Sequence, residues 1–386
     1  MMRIRKIVSV SLTALLFCLT ATAQTSLEKE LQASSAELAR LYSQKDWAGA
    51  LRVIDRQLGL ADRLGNKDIR AGVLYNKACV HALAGQKSLA VIAVRESISS
   101  GFPDYSRFIS DADFDSLRGE PEFQALIADL KAKFAPRPLE WDRTQNPSAF
   151  NVTYDTPGAE AFQQLKREFS IDSVVAGAKD DYERLLRLTH WVSTRWEHSP
   201  NQMASKSDPL TILREAEKGG RFICREYAVV LAGVANAYGM PARVLNLLPR
   251  EVETRSEAHS VAEVWLEQFH KWVLADGQYG AVGELDGVPL NGIELQKAFA
   301  EDKPVKCAVG AEVAAEWKPF ILRNAFYFKF GDDQRSFLHK TSRQLVLVPK
   351  GAPEPHKFAG GNESVFAGAV YTSNPDSFYA PPPKNR

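Results

Sequence analysis

The stretch from Gly219 to Ala228 most constrains how this chain folds, because a glycine pair precedes a cysteine that opens a helical pattern. After Cys224, apolar or small residues recur at helical spacing, and the pattern closes at Gly239 and Pro241. The spacing predicts a buried helix with Cys224 at or near its first turn. There the unpaired backbone N–H groups and the positive end of the helix dipole favour the thiolate over the thiol.

Strand patterns follow this helix. Ala242 to Leu248 is mostly apolar, and the runs from His259 to Leu266 and from Lys271 to Asp276 alternate polar and apolar residues. Their spacing predicts a strand followed by a β-hairpin.

The hairpin supplies the other groups that a nucleophilic cysteine needs, which are an imidazole base and a group that orients it. If Leu266 to Phe269 forms the loop, His259 lies directly opposite Asp276, with Cβ atoms about 5 Å apart on one face. A shift of one residue would place the two side chains on opposite faces. The predicted catalytic residues are therefore Cys224, His259 and Asp276, and their proximity depends on the hairpin register.

Three sequence blocks occur in this order: Phe222 to Ala228, Tyr238 to Val244, and His259 to Trp265 with Lys271 to Asp276. Together they resemble the transglutaminase-like superfamily, within the papain-like cysteine enzymes, over about residues 180–280. The resemblance implies an α+β fold in which the nucleophile helix packs on an antiparallel sheet. It also implies an acyl-thioester mechanism on Cys224.

The resemblance further implies an oxyanion held by the Cys224 backbone N–H and one further donor. Trp196 is the best placed aromatic upstream for that donor, and Gln202 and Asn201 behind it are further candidates. The chain departs from the family pattern at Ser260-Val261, where a small residue and an aromatic are usual, and at Arg225-Glu226, where a glycine is common. These departures concern the substrate class more than the fold.

Residues 1–23 have the pattern of a signal peptide: a basic start, an apolar run, and an A-x-A site that predicts cleavage after Ala23. A lipoprotein site at Cys18 is disfavoured because Phe17 is bulky. We expect a secreted or periplasmic protein with no membrane span after signal removal. The formal net charge of +1 gives no basic footprint for nucleic acid.

The remaining chain is predicted to divide into four parts. Residues 24–135 form helical hairpins that resemble tetratricopeptide repeats, with Ala78 and Ala90 at the small, close-contact positions. Residues 136–157 form a linker, residues 158–300 the catalytic domain, and residues 301–386 a β-containing extension and tail. In the extension, Phe320 to Phe330 and Gln344 to Val348 are predicted strands.

The cysteines left in the mature chain are odd in number: Cys79, Cys224 and Cys307. The helical pattern around Cys79 favours a place in the core. A disulfide between Cys79 and Cys307 is an open alternative, and it would leave Cys224 as the unpaired thiol.

No metal or cofactor is predicted. The histidines have no metal-ligand spacing and HExxH is absent from the sequence. Asp111, Asp113 and Asp115 alternate as in a calcium loop, but the required glycine and final glutamate are missing.

The function predicted first is an exported thiol enzyme that hydrolyses peptide or cell-envelope amides, with a peptide or protein as substrate. Transfer of the acyl group to an amine is a second enzymatic version. The non-enzymatic alternative is a scaffold that keeps the fold without turnover and binds a protein partner through its helical repeats.

Overall fold

The computed structural model describes residues 26–27, 29–102, 105–134, 136–145, 150–156, 158–254, 257–308, 311–337, 343–359 and 363–383. The predicted signal peptide, residues 1–23, lies outside these ranges. The chain divides into two compact units, one ending at Ala135 and the other starting at Pro136. Within the described ranges, no helix has the length and apolar character needed to cross a membrane.

Every regular element in the described residues of the N-terminal unit is a helix or a 3-10 turn. Its elements are α1 (residues 29–43), α2 (Trp47–Leu64), α3 (Lys67–Leu83), α4 (Lys87–Ser99), α5 (Tyr105–Ser110), a 3-10 turn (Ala112–Leu117) and α6 (Pro121–Phe134). Side-chain caps start two of the helices, since Asp46 accepts from the Gly49 N–H and Asn66 from the Ile69 N–H. Ala78 and Ala90 are fully buried where α3 packs on α4, as close helix contact requires. Assignment of these helices to tetratricopeptide repeats stays a prediction.

The C-terminal unit combines helices with one sheet. Its helices are α7 (Glu160–Glu168), α8 (Ile171–Val175), α9 (Asp181–Ser193), α10 (Pro209–Glu217), α11 (Cys224–Ala237), α12 (Gly292–Ala300), α13 (Ala311–Asn324) and α14 (Pro375–Phe378). Its strands are β1 (Ala242–Leu248), β2 (His259–Leu266), β3 (Lys271–Asp276), β4 (Ala281–Leu285), β5 (Val288–Pro289), β6 (Lys306–Cys307), β7 (Tyr327–Gly331), β8 (Gln344–Leu347) and β9 (Val370–Thr372). The predicted α+β class, with a helical N-terminal segment, is confirmed.

The sheet has the order β5-β4-β3-β2-β1-β7-β8-β9, and β6 pairs with β4. All of these pairs are antiparallel except β8 with β9. Helix α11 packs on β1 and β2 and shares a core with Ala262 and Val264. The side chains on the other face of these strands, including Val261 and Leu274, join a second core with residues of α12 and α13. The sheet is therefore covered by helices on both faces.

The hairpin register differs from the prediction by two residues. Leu266 pairs with Lys271 and Ala262 with Ala275, so Asp276 falls opposite Val261 and diagonal to His259. The turn has the predicted length of four residues but lies one residue further along the chain, with a 3-10 segment (Glu267–Phe269) followed by His270 in the left-handed conformation. A shift of two residues preserves the face, since side chains alternate with period two. His259 and Asp276 consequently still point to the same side.

The predicted strand from Phe320 to Phe330 was wrong in its first half. Helix α13 continues through Phe320 to Asn324, and the strand begins only at Tyr327. Pro319 lies inside this helix. Proline removes a helical hydrogen bond and normally ends a helix, which hides the helical pattern of this segment in the sequence.

The segments predicted as linker and extension both contribute to the C-terminal unit. Leu139, Trp141 and Val152 pack against the core that α12 and α13 build. Residues 301–386 supply strands β6 to β9 of the same sheet. The domain limits given above remain predictions.

The described cysteines Cys79, Cys224 and Cys307 are all free thiols. The alternative of a disulfide between Cys79 and Cys307 is not realised in this structure.

Candidate active site

The glycine pair sets the position of Cys224. Gly219 has φ 91°, a conformation that favours glycine, directly after α10. Gly220 donates its N–H to the Glu215 carbonyl, and a Cβ on Gly220 would lie 2.8 Å from that oxygen. The chain then enters α11, and Cys224 is its first residue. The thiol therefore lies at the positive end of a helix that is buried along most of its length.

The predicted proximity of His259 and Asp276 is observed. His259 Nε2 lies 2.7 Å from Asp276 Oδ2, and both side chains are fully buried. The second ring nitrogen, Nδ1, has no hydrogen-bond partner among protein nitrogen and oxygen atoms of the described chain. The thiol of Cys224 is the further group that interacts with this ring. The imidazole is thus placed between an orienting carboxylate and the nucleophile.

The carboxylate of Asp276 is saturated with hydrogen-bond donors. Oδ1 accepts from the backbone N–H groups of Gln278 at 3.0 Å and Tyr279 at 3.2 Å. Oδ2 accepts from the indole N–H of Trp317 at 2.8 Å, in addition to the imidazole. A buried carboxylate needs such donors, because removing a charge from water is costly unless hydrogen bonds compensate it.

Aromatic rings surround the imidazole. Phe320 of α13 packs edge-on against His259 with ring centroids 4.8 Å apart, and Tyr279 approaches at 6.1 Å. These contacts exclude water from the imidazole and strengthen its electrostatic interactions with Asp276 and Cys224.

The electrostatics of the site favour an ion pair. Burial by itself would raise the pKa of the Cys224 thiol, but the hydrogen bond and charge of His259 and the backbone N–H of Ser260 hold that pKa below its ordinary value. Burial would lower the pKa of His259, and the Asp276 charge outweighs it, raising the His259 pKa well above its ordinary value. Between these two values the site holds thiolate and imidazolium together.

Trp196 is held rigidly beside the nucleophile block. Its backbone carbonyl accepts from the Tyr227 hydroxyl at 2.8 Å, and its ring packs on Tyr227 with centroids 4.3 Å apart. Phe222 packs edge-on against the same indole. The indole N–H is buried and has no hydrogen-bond partner within the described ranges. An unpaired buried donor is costly to the folded protein.

Gln202 approaches the site through its backbone. Its carbonyl accepts from the Ile223 N–H at 3.1 Å, directly before Cys224, while its side chain is exposed. His198 lies on the same side, since it forms a β-bridge with Phe222 and its pKa is lowered by partial burial and by the charge of His259. The segment 198–202 thus borders the nucleophile.

Glu226 has a structural environment. It is fully buried and accepts from the Arg225 guanidinium at 2.7 Å through Oε1.

A separate polar cluster lies in the N-terminal unit. Ligand atoms of Cys79, Asp111 and Asp113 lie within 4.8 Å of one another. The hydroxyls of Tyr42 and Tyr75 donate to Asp113 and Asp111, respectively. Burial, followed by the charges of the two carboxylates, raises the pKa of the Cys79 thiol. The two tyrosine hydroxyls satisfy the two carboxylates. Hydrogen bonds that hold the 3-10 turn in place therefore explain the cluster.

The sequence did not indicate the contribution of α13. Trp317 and Phe320 are far along the chain from Asp276 and His259, and no motif marks them. The spacing of Trp317 and Ile321, four residues apart, was the available sign of a buried helical face.

These side chains define a cysteine-type enzyme site, with a thiol at a helix start and an imidazole and carboxylate on a neighbouring hairpin. Residues 169–277 match the model of the transglutaminase-like superfamily, so this segment is a transglutaminase-like domain. No curated protein shows significant similarity to the chain.

A crystal structure described as a candidate cysteine protease from Cytophaga hutchinsonii is similar to this chain at 16% sequence identity, with a TM-score of 0.26. The similarity covers 34% of this chain and 40% of that protein, well under half of its length.

Proposed function

We propose that this protein is an exported thiol enzyme that cleaves, or transfers, peptide or other amide bonds through an acyl-thioester on Cys224. The single observation that supports it most is the 2.7 Å contact of His259 with Asp276, in a site that also lowers the pKa of the Cys224 thiol. A lone buried cysteine would need neither partner.

In the first half-reaction, the Cys224 thiolate attacks the amide carbonyl carbon and forms a carbon–sulfur bond. The oxyanion accepts hydrogen bonds from the Cys224 backbone N–H and from the Trp196 indole. The imidazolium of His259 then donates its proton to the leaving nitrogen as the carbon–nitrogen bond breaks. A thioester and a free amine result, and His259 becomes neutral.

In the second half-reaction, neutral His259 removes a proton from a water molecule or an amine that attacks the thioester. The carbon–sulfur bond breaks and Cys224 returns to the thiolate. Water gives a carboxylic acid and an amine gives a new amide, so hydrolysis and transamidation differ only in the second nucleophile. Asp276 keeps the imidazole oriented through both steps.

The setting of this activity is also a proposal. The basic and apolar N-terminal segment, with its predicted cleavage site after Ala23, supports a secreted or periplasmic enzyme. The helices of the N-terminal unit support a partner or substrate of protein nature, because arrays of this kind offer extended surfaces.

The test uses the mature protein with a labelled peptide substrate, in the presence and absence of a labelled primary amine. We expect fragments or amine incorporation from the parent protein, a loss of at least about a thousandfold in Cys224→Ala, and unchanged activity in Cys307→Ser. Cys307 is a suitable control because it is a free, partly buried thiol outside the site. Equal activity of Cys224→Ala and the parent would contradict the proposal.

One observation favours the non-enzymatic alternative, a scaffold that keeps the fold. His259 and Asp276 are completely buried, and α13 and Tyr279 cover the imidazole. A scaffold would show no turnover with any peptide or amine, while still binding a protein partner.

A further inference from the structure

Helix α13 lies outside the segment that matches the transglutaminase-like superfamily, which ends at residue 277, yet two of its side chains contact the site. Trp317 donates to Asp276 and Phe320 packs on His259. These contacts join the C-terminal part of the chain to the proposed machinery.

We propose that Trp317 is a positioning residue of the active site, which acts through Asp276 by fixing and stabilising the carboxylate that orients His259. This inference rests on the proposed function.

The geometry at Asp276 is specific for a donor at this place. Trp317 Nε1 and His259 Nε2 approach the same oxygen, Oδ2, at 2.8 Å and 2.7 Å. The backbone donors of the following turn occupy Oδ1. The indole therefore determines which lone pair of Oδ2 remains for the imidazole, and so the direction in which the ring is held.

The indole also has an electrostatic effect. While His259 is an imidazolium, the Asp276 charge is balanced by it. Once His259 loses its proton, the carboxylate is a buried anion that only hydrogen-bond donors stabilise. Trp317 thus stabilises the neutral-imidazole state more than the imidazolium state, and its removal should raise the pKa of the imidazole.

Trp317 itself is fully buried, in the core shared with Leu295 and Ile321. A packing role alone would be served equally well by a phenyl ring of similar shape. The two roles are therefore separable by Trp317→Phe, which keeps an aromatic ring and removes the N–H.

The test measures the rate of Cys224 alkylation against pH in the full-length mature protein. The rate with iodoacetamide reports the fraction of Cys224 that is thiolate. Iodoacetate is an anion, so its rate also depends on the positive charge of the imidazolium. The iodoacetate rate should fall at alkaline pH, where the imidazolium loses its proton, and the midpoint of that fall is the alkaline limit of the profile. We expect Trp317→Phe to move this limit upward by about one pH unit, the size expected for loss of a hydrogen bond to a charged group.

Trp272→Phe is the matched control. Trp272 is also a buried indole of this sheet, and its N–H donates to the Ala380 carbonyl at 3.0 Å, away from the triad. The Trp272→Phe change should lower the stability of the protein without moving the alkaline limit of the iodoacetate profile. An unmoved profile in a folded Trp317→Phe protein would overturn the inference.

A second measurement covers the case in which Trp317→Phe does not fold. In the parent protein labelled with 15N-tryptophan, one of the seven indole N–H signals should change its chemical shift with pH, with a midpoint at the alkaline limit. The reason is that the carboxylate of Asp276, which accepts from this indole, loses its imidazolium neighbour there. No indole signal moving over that range would overturn the inference. If the parent protein shows no thiolate below the ordinary thiol range, the proposed function fails instead, whatever Trp317 does.

Discussion

At the scale of single residues, Trp196 and Trp317 use the same chemical group in different ways. Trp317 gives its indole N–H to a permanent acceptor, Asp276. The indole N–H of Trp196 is buried without an acceptor in the described part of the chain. We propose that the acceptor of the Trp196 indole is an oxyanion that exists only during the reaction, because an unpaired donor destabilises the resting protein.

We therefore predict that Trp196→Phe lowers kcat for an activated ester, such as p-nitrophenyl acetate, about a hundredfold, the usual size for loss of one oxyanion donor. Alkylation of Cys224 by iodoacetamide should be nearly unchanged, because it forms no oxyanion.

Trp265→Phe is the control for this change, since that indole is equally buried and donates to the Glu267 carboxylate instead. It should leave kcat unchanged. If Trp196→Phe slowed ester hydrolysis and alkylation to the same extent, the indole would act on the thiol and not on the oxyanion.

At the scale of elements, the nucleophile helix and the hairpin are predictable from local patterns. The bounds of β1, β2 and β3 match the predicted ranges, because an apolar run defines β1 and an alternation of polar and apolar residues defines β2 and β3. Cys224 also begins its helix as predicted.

The register of the hairpin was less predictable, because it depends on the turn. To predict the register correctly, one must know that His270 adopts positive φ after a 3-10 segment, and histidine does not signal this strongly. His259 and Asp276 still lie on the same face because the register differs from the prediction by two residues, an even number. The predicted proximity of His259 and Asp276 thus followed from an incorrect register.

Helix α13 was unpredictable for a different reason. Pro319 argues locally against a helix, and only packing of Trp317 and Ile321 on the sheet outweighs it. The contacts of Trp317 with Asp276 and of Phe320 with His259 are long-range in sequence. No local pattern indicates such partners.

At the scale of the whole molecule, the C-terminal segment is fixed to the sheet that carries the site. The guanidinium of Arg243 donates to Glu263 at 2.6 Å and to the Phe378 carbonyl at 3.0 Å. Phe330 and Trp272 lie over this cation at 4.1 Å and 4.4 Å. Arg243 and Glu263 are both buried, so each charge depends on the other.

We predict that Arg243→Met lowers the free energy of unfolding of the C-terminal unit by about 3–5 kcal/mol, because it leaves the Glu263 carboxylate buried and unpaired. The double variant Arg243→Met with Glu263→Gln should recover part of that loss, since glutamine still accepts from the Gly292 N–H that Glu263 binds at 3.0 Å.

Urea unfolding followed by tryptophan fluorescence measures both variants. If the double variant were no more stable than Arg243→Met, the loss would come from packing alone and not from an uncompensated charge.

The alkylation rate of Cys224 between pH 4 and 11, in the parent protein and in Asp276→Asn, tests the central claim most directly. In the parent, the iodoacetamide rate should rise below the ordinary thiol range near pH 8.5, because the lowered pKa of Cys224 gives thiolate there. The iodoacetate rate should fall again only as His259 loses its proton at its raised pKa. Asp276→Asn should bring the two limits together, since the amide removes the charge that raises the His259 pKa. A parent profile with one ordinary thiol midpoint, unchanged by Asp276→Asn, would contradict the account.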